Sequence, residues 1–414
     1  MKLYALLMVL SAFLGVAKQF IYAKMFGVDD FGYYAIILVV QSYGMYVFTF
    51  GLNEGLIREL TFYFSSDQYD VGKQLRNKTL TFLFSILALS IMVLLVIAPV
   101  SIYYYGSTYN VYLLGVLYSI STIVFNFTSI ELKARQNIKS LSKYLFLKNV
   151  YFVLLGFVLI MLGFSAVTVV ISEILVQILM ACYLLKVRNT EFTLDFNMRP
   201  VLVPVMKLGL PFMLTSFLRN VINSFDKIFI TVFFTITVMG QYSFAMILFS
   251  GGLVFQNILS TAFQPYAIAD FAKYKQPYRL FKFTTKVSVG ILLLFVIGFY
   301  PVISLIEYLV IQFYAEYSES LSLMPFIYVA MAFMSVNIFD SVLLATGTGL
   351  NLFKTNVMVS VLYVLLCFYV AFIPDKLAME SFVLVFCISQ ILLYMGALIT
   401  CYVDTKSYIS SKDW

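Results

Sequence analysis

Apolar residues occur along this chain in blocks of bilayer-crossing length, about 18 residues or more, separated by short polar stretches. Twelve spans can be marked, at 3–26, 31–57, 79–103, 107–130, 145–163, 165–185, 208–234, 237–265, 285–303, 322–346, 353–373 and 378–402. No soluble domain interrupts them. The pattern predicts an all-α polytopic membrane protein.

Several polar residues break the pattern from within. TSFLRNVINSFDKIFI, Thr215 to Ile230, puts Arg219, Asn220, Asn223, Asp226 and Lys227 inside a run that is otherwise apolar from Leu208 to Ile236. Each charge at a helix centre costs about 2.5–3.5 kcal/mol on insertion scales. Arg219, Asn223, Asp226 and Ile230 follow i, i+4, i+7, i+11 and share one helical face. Moving back 208 positions lays that face on Ser11, Gly15, Lys18 and Tyr22 of the first span. The same shift sets Gly32 on Gly240 and Tyr34 on Tyr242. The chain therefore reads as two parallel six-helix lobes, 1–190 and 208–414, joined by a polar linker at 191–207 and related by a pseudo-twofold axis along the membrane normal. Charges must avoid lipid, so the first and seventh spans are expected to line a shared cavity with Lys18, Arg219 and Asp226, joined by Lys24 and Lys227. Snorkelling to the outer interface is the competing role for Lys24.

Charge then orients the chain. With cations near a span end counted in the adjoining loop, Lys148, Lys286 and Lys354 among them, 22 of the 27 Lys and Arg residues fall on the termini and one alternate set of loops; the other set holds Lys376, and Lys18, Lys24, Arg219 and Lys227 lie within spans. The positive-inside rule places both termini in the cytoplasm. Topology accounts for the net charge of +7, and no nucleic-acid partner is needed. ELKARQNIKSLSKYLF, at 131–146, reads either as an interfacial helix on the inner leaflet or as ordinary positive-inside anchoring. The N-terminal run reads as a retained first span rather than a cleaved signal.

Three further carboxylates carry candidate chemistry. Glu54 sits in GLNEGLIREL with Arg58 one turn on, a local pair. Glu173 and Asp340 lie deep in spans six and ten, and Glu173 has no cation within four residues. With Asp226 they are candidates for coupling to H+ or Na+. The chain has no histidine, which excludes His-based catalysis and His-ligated metals, and its four cysteines lie singly in apolar segments. No cofactor is expected.

LGVAKQFIYAKMFGVDDFGYYAI, GLNEGLIREL, LPFMLTSFLRNVINSFDKIFI, MGQYSFAMIL and FQPYA resemble the polysaccharide flippases of the multidrug/oligosaccharidyl-lipid/polysaccharide exporter superfamily, especially the Wzx O-antigen type. The resemblance extends over the whole chain in length, span count and order. It implies a MATE-like fold of two six-helix lobes around a central cavity, working by alternating access in the bacterial inner membrane. The implied cargo is an undecaprenyl-pyrophosphate-linked oligosaccharide, moved from the cytoplasmic to the periplasmic leaflet with no bond made or broken. Lys18, Lys24, Arg219 and Lys227 would then meet the diphosphate, and Tyr22, Asn220 and Asn223 the sugars. Membrane lipids and other polysaccharide-assembly proteins are the implied partners. The rival readings are a MATE-type drug/cation antiporter and, further off, a membrane enzyme of polysaccharide assembly.

Overall fold

The computed structural model describes residues 2–410 except 66–67, 106–108, 136, 188–198, 347–348 and 373–374. Part of the 191–207 linker, up to 198, lies outside the described residues, as do some side chains within helices, Glu54 and Arg58 among them. Every element is helical: α1 Lys2–Thr49, α2 Leu52–Ser65, α3 Tyr69–Tyr105, α4 Tyr109–Ala134, α5 Ile138–Met161, α6 Ala166–Val187, α7 Arg199–Phe233, α8 Ile236–Tyr274, α9 Pro277–Phe313, a 3₁₀ segment Ala315–Leu323, α10 Met324–Ser335, α11 Phe339–Thr346, α12 Gly349–Ala371 and α13 Asp375–Ser410. Helices suit lipid, since each satisfies its backbone N–H and C=O groups within its own segment.

Ten helices among the described residues are long and apolar enough to cross a membrane, with one further pair, Val203–Pro211 and Met213–Phe233, bent by 43° at Pro211. The first of the ten, Leu6–Thr49, has 44 residues. At 1.5 Å per residue it would be about 66 Å long, twice the hydrocarbon thickness. It divides at Gly27, whose φ of 75° and ψ of 175° are non-helical. A side chain there would meet the steric penalty that glycine avoids. Counting α1 as two crossings and the bent pair as one gives twelve.

Several boundaries differ from the hydrophobic pattern. The second span stops at Thr49, not at 57. Phe50 and Gly51 turn left-handed, with φ of 46° and 77°, and GLNEGLIREL opens the separate helix α2. Fourteen residues make α2 about 21 Å long, too short to span. Its Leu52, Leu56 and Leu60 are fully buried and pack with Phe64, Leu75, Leu80, Ile123, Phe127 and Ile130. The expected interfacial helix at 131–146 is not formed as a separate element. α4 continues to Ala134 and α5 begins at Ile138, capped by Asn137 accepting from the Ser140 N–H. Arg76 and Arg135, counted above as loop cations, hold the buried Glu131 at 2.9 and 2.6 Å. The tenth span is broken at 336–338, and its freed carbonyls are reclaimed by side chains. Ser288 donates to Val336 O at 3.1 Å, and Gln256 donates to Asn337 O at 3.3 Å.

The chain forms two compact units, Met1–Asn220 and Val221–Trp414. In the first, α1 packs on α4 and α5, and α4 on α6. The beginning of α7 belongs to this unit. A Cβ on Gly209 would stand 2.0 Å from Gly51 O and 2.7 Å from Gly55 N, so glycine is needed for the backbones to approach. Phe217 meets Tyr43 and Tyr46 edge-on at 6.0 and 5.8 Å. In the second unit α8 packs on α10 and α11, and α13 on α10 and α12. Its core joins Val336, Phe339, Val342, Leu343 and Tyr394. Large apolar side chains outside these contacts, such as Leu294, Ile297 and Phe372, are exposed, as lipid-facing positions are.

Candidate functional site

Each unit encloses one buried charge at the register that the 208-residue shift relates. In the first unit the charge is Lys18, on the first half of α1. Its side chain points between α4, α5 and α6, and its Nζ donates to Glu173 Oε1 of α6 at 2.7 Å. No local cation accompanies Glu173 in the sequence; its partner arrives from α1. The carboxylate is fully buried and well supplied with donors. Tyr22 OH donates to Oε1 at 3.2 Å, and Tyr118 OH to Oε2 at 2.5 Å. Tyr22, one turn beyond Lys18, also reaches Phe152 O at 2.8 Å. Gly156 leaves room for it, because a Cβ there would fall 1.9 Å from the Tyr22 hydroxyl. The ammonium of Lys18 lies over the rings of Phe152, Tyr22 and Tyr34 at 4.9, 5.5 and 5.6 Å. Cation–π contact supplements the ion pair at this buried position.

A polar ladder continues along α4 and α6. Ser121 and Thr122 donate to Gln177 Oε1 at 2.7 and 3.0 Å, and Gln41 donates to Thr122 at 3.3 Å. Asn149 of α5 donates to the backbone and hydroxyl oxygens of Ser11. Such inter-helix bonds supply cohesion that hydrophobicity cannot give between helices in lipid.

In the second unit the corresponding charge is Asp226 on α7, fully buried. Tyr242 of α8, the counterpart of Tyr34, donates to Asp226 Oδ2, and the Lys227 N–H reaches Oδ1 at 2.8 Å. Tyr363 and Cys367 of α12 are within electrostatic reach. Asp226 forms no ion pair among the described residues, with Arg219 or any other cation. Asn223, one turn earlier, accepts from Gln390 of α13 at 3.0 Å. Lys18 with Tyr34 and Asp226 with Tyr242 thus occupy matching positions with opposite charge.

The other sequence candidates are dispersed. Lys24 is exposed in the last turn before Gly27, and Arg219 and Lys227 are half-buried. Asn220 donates to Ser42 at 3.3 Å within the first unit. Asp340 opens α11 and, with Asp404, lies within electrostatic reach of Cys401. The side chain of Glu54 is outside the described residues. Among the described residues no three His, Cys, Asp or Glu side chains converge as metal ligands would. Sequence reasoning assigned Lys148 to a loop; the structure puts it in α5, beside this first cluster. It also missed Tyr118, and used Tyr34 and Tyr242 only as markers of the repeat.

Buried charges in a bundle of apolar spans mark a multi-pass membrane protein with a polar interior, and solved structures share the fold. The chain is similar to a multidrug resistance MATE family transporter of the MOP superfamily in its inward-facing conformation, with a TM-score of 0.73, 12% identity and coverage of 97% of this chain and 96% of that one. An outward-facing MATE family transporter gives 0.64, with 12% identity and 98% and 95% coverage. The Vibrio cholerae MATE transporter VcmN gives 0.63, with 14% identity and 98% and 96% coverage. No curated protein matches the sequence. The family model described as "Polysaccharide biosynthesis protein" matches residues 21–315, and the chain belongs to that family.

Proposed function

We propose that this protein is a flippase for an undecaprenyl-pyrophosphate-linked oligosaccharide, an O-antigen-type repeat unit. It carries this cargo by alternating access from the cytoplasmic to the periplasmic leaflet of the bacterial inner membrane. Its termini lie in the cytoplasm, and it makes and breaks no bond. The observation that carries this reading is the union of a polysaccharide-biosynthesis sequence with an exporter fold. A saccharide made on a lipid carrier must cross the membrane, and a transporter in that process has this cargo to move. Arg219, Lys24 and Lys227 remain the candidates for contact with the diphosphate, and Asn220 for contact with sugars.

Asp226 is the candidate for H+ or Na+ coupling, because among the described residues its carboxylate has tyrosine and backbone hydrogen-bond partners and no direct ion pair, with Lys227 only within electrostatic reach. Glu173 is less suited, since Lys18 holds it. The fold's multidrug relatives favour one rival reading, a drug/cation antiporter. Both are tested by deleting the native gene and measuring surface polysaccharide and resistance to cationic drugs. Loss of polymer, with lipid-linked precursor held on the cytoplasmic leaflet and restored by the plasmid-borne gene, supports the flippase. Normal polymer with drug hypersensitivity rejects it.

A further inference from the structure

Lys148, in the first unit, forms no ion pair among the described residues. It lies within the apolar stretch Lys139–Met161 of α5, about 15 Å up the helix from Ile138. Phe152 and Gly156 follow it at i+4 and i+8 and are buried, whereas Tyr151, Leu154, Leu155 and Val158 are exposed. Its side chain therefore leaves the helix on the face turned from lipid. There its ammonium meets only aromatic rings, Phe125 at 4.8 Å and Phe152 at 5.4 Å.

The one carboxylate within electrostatic reach is Glu173, together with Lys18 and Lys133. Glu173 is already committed: Oε1 takes Lys18 and Tyr22, and Oε2 takes Tyr118. Lys18 and Lys148 stand over the same ring, Phe152, at 4.9 and 5.4 Å. Two ammonium groups against one carboxylate leave a surplus positive charge inside the unit. Rings alone are a weak substitute for an anion, and an ammonium has three donors to satisfy. Lys148 is only partly buried, and among the described residues its ammonium has ring contacts in place of hydrogen-bond acceptors.

We propose that Lys148 binds the anionic diphosphate of a lipid-linked cargo, while Lys18 and Glu173 form the fixed frame that positions it. The assignment rests on the flippase reading above. Lysine engages phosphate as a point charge and sets no planar geometry, which suits a flexible diphosphate.

The test uses the purified full-length protein in lipid nanodiscs with three probes: farnesyl diphosphate, inorganic pyrophosphate and farnesol. Wild type is expected to bind farnesyl diphosphate in preference to both others. Lys148→Met should weaken that binding about tenfold or more, and Lys148→Arg should retain most of it. Thermal unfolding checks the fold, and Lys148→Gln provides a second neutral variant should the methionine variant misfold. A folded Lys148→Met or Lys148→Gln protein that binds farnesyl diphosphate like wild type would overturn the assignment while leaving the flippase reading standing. Equal affinity for inorganic pyrophosphate would overturn the lipid-linked source. Failure of the flippase reading itself appears separately, as normal surface polysaccharide in the deletion strain.

Discussion

Removing the charge of Glu173 should do more damage than removing both charges of its ion pair. Lys18 and Glu173 meet at 2.7 Å with side-chain exposures of 10% and 0%. Glu173→Gln keeps the size but leaves the ammonium facing an amide. It also forces a choice, because one oxygen cannot serve Lys18, Tyr22 and Tyr118 together, as the two carboxylate oxygens do. Breaking one partner of a buried pair costs about 3–5 kcal/mol, whereas neutral replacement of both is often tolerated. Lys18→Met should also be costly, since Glu173 would keep its tyrosines but lose its cation. The double variant should therefore recover a large part of the loss, with a coupling energy of at least about 1–3 kcal/mol. The assay is a double-mutant cycle on denaturant unfolding of the purified protein in mixed micelles. A Glu173→Gln protein as stable as wild type, or a double variant whose loss equals the sum of the singles, would refute the reasoning.

Other outcomes follow from the same geometry. Gly209→Ala sets a Cβ against backbone atoms of Gly51 and Gly55, which cannot rotate away; a loss of about 1–3 kcal/mol is expected in the same unfolding assay. Gly156→Ala should push the Tyr22 hydroxyl off Phe152 O and Glu173. It should lower the thermal midpoint more than Gly290→Ala, a position with nothing within 4 Å. Tyr242→Phe removes the hydroxyl donor to Asp226 and should cost about 1–3 kcal/mol; Asp226→Asn should abolish any ion dependence of transport measured in vesicles.

The sequence carried the order of the spans because lipid leaves few alternatives to helices of fixed length. It also carried the placement of Lys18 and Asp226, both of them buried, on inward-turned helical faces, since polar residues on a helical face keep their spacing whatever they contact. Inter-helix partners were not legible. Lys18 and Glu173 stand 155 positions apart, and only the packing of α1 against α6 brings them together. Lys148 was misplaced because assigning cations near span ends to loops follows the positive-inside rule, which has no information about which way α5 faces. The break at 336–338 has no Pro or Gly to announce it, and the groups that meet its carbonyls, Ser288 and Gln256, lie on other helices. The end of the second span was missed for a related reason. Phe50 and Gly51 sit in an apolar run, and their left-handed turn serves the contact with Gly209.

Reconstitution tests lipid-linked saccharide transport directly. Purified protein in proteoliposomes is given a fluorescent undecaprenyl-pyrophosphate-linked oligosaccharide, and the fraction exposed to a membrane-impermeant quencher is followed in time. Protein-dependent movement of the labelled lipid between leaflets is expected, slowed by Lys148→Met and absent from empty vesicles. Vesicles that exchange a cationic drug but leave the saccharide lipid in its starting leaflet would contradict it.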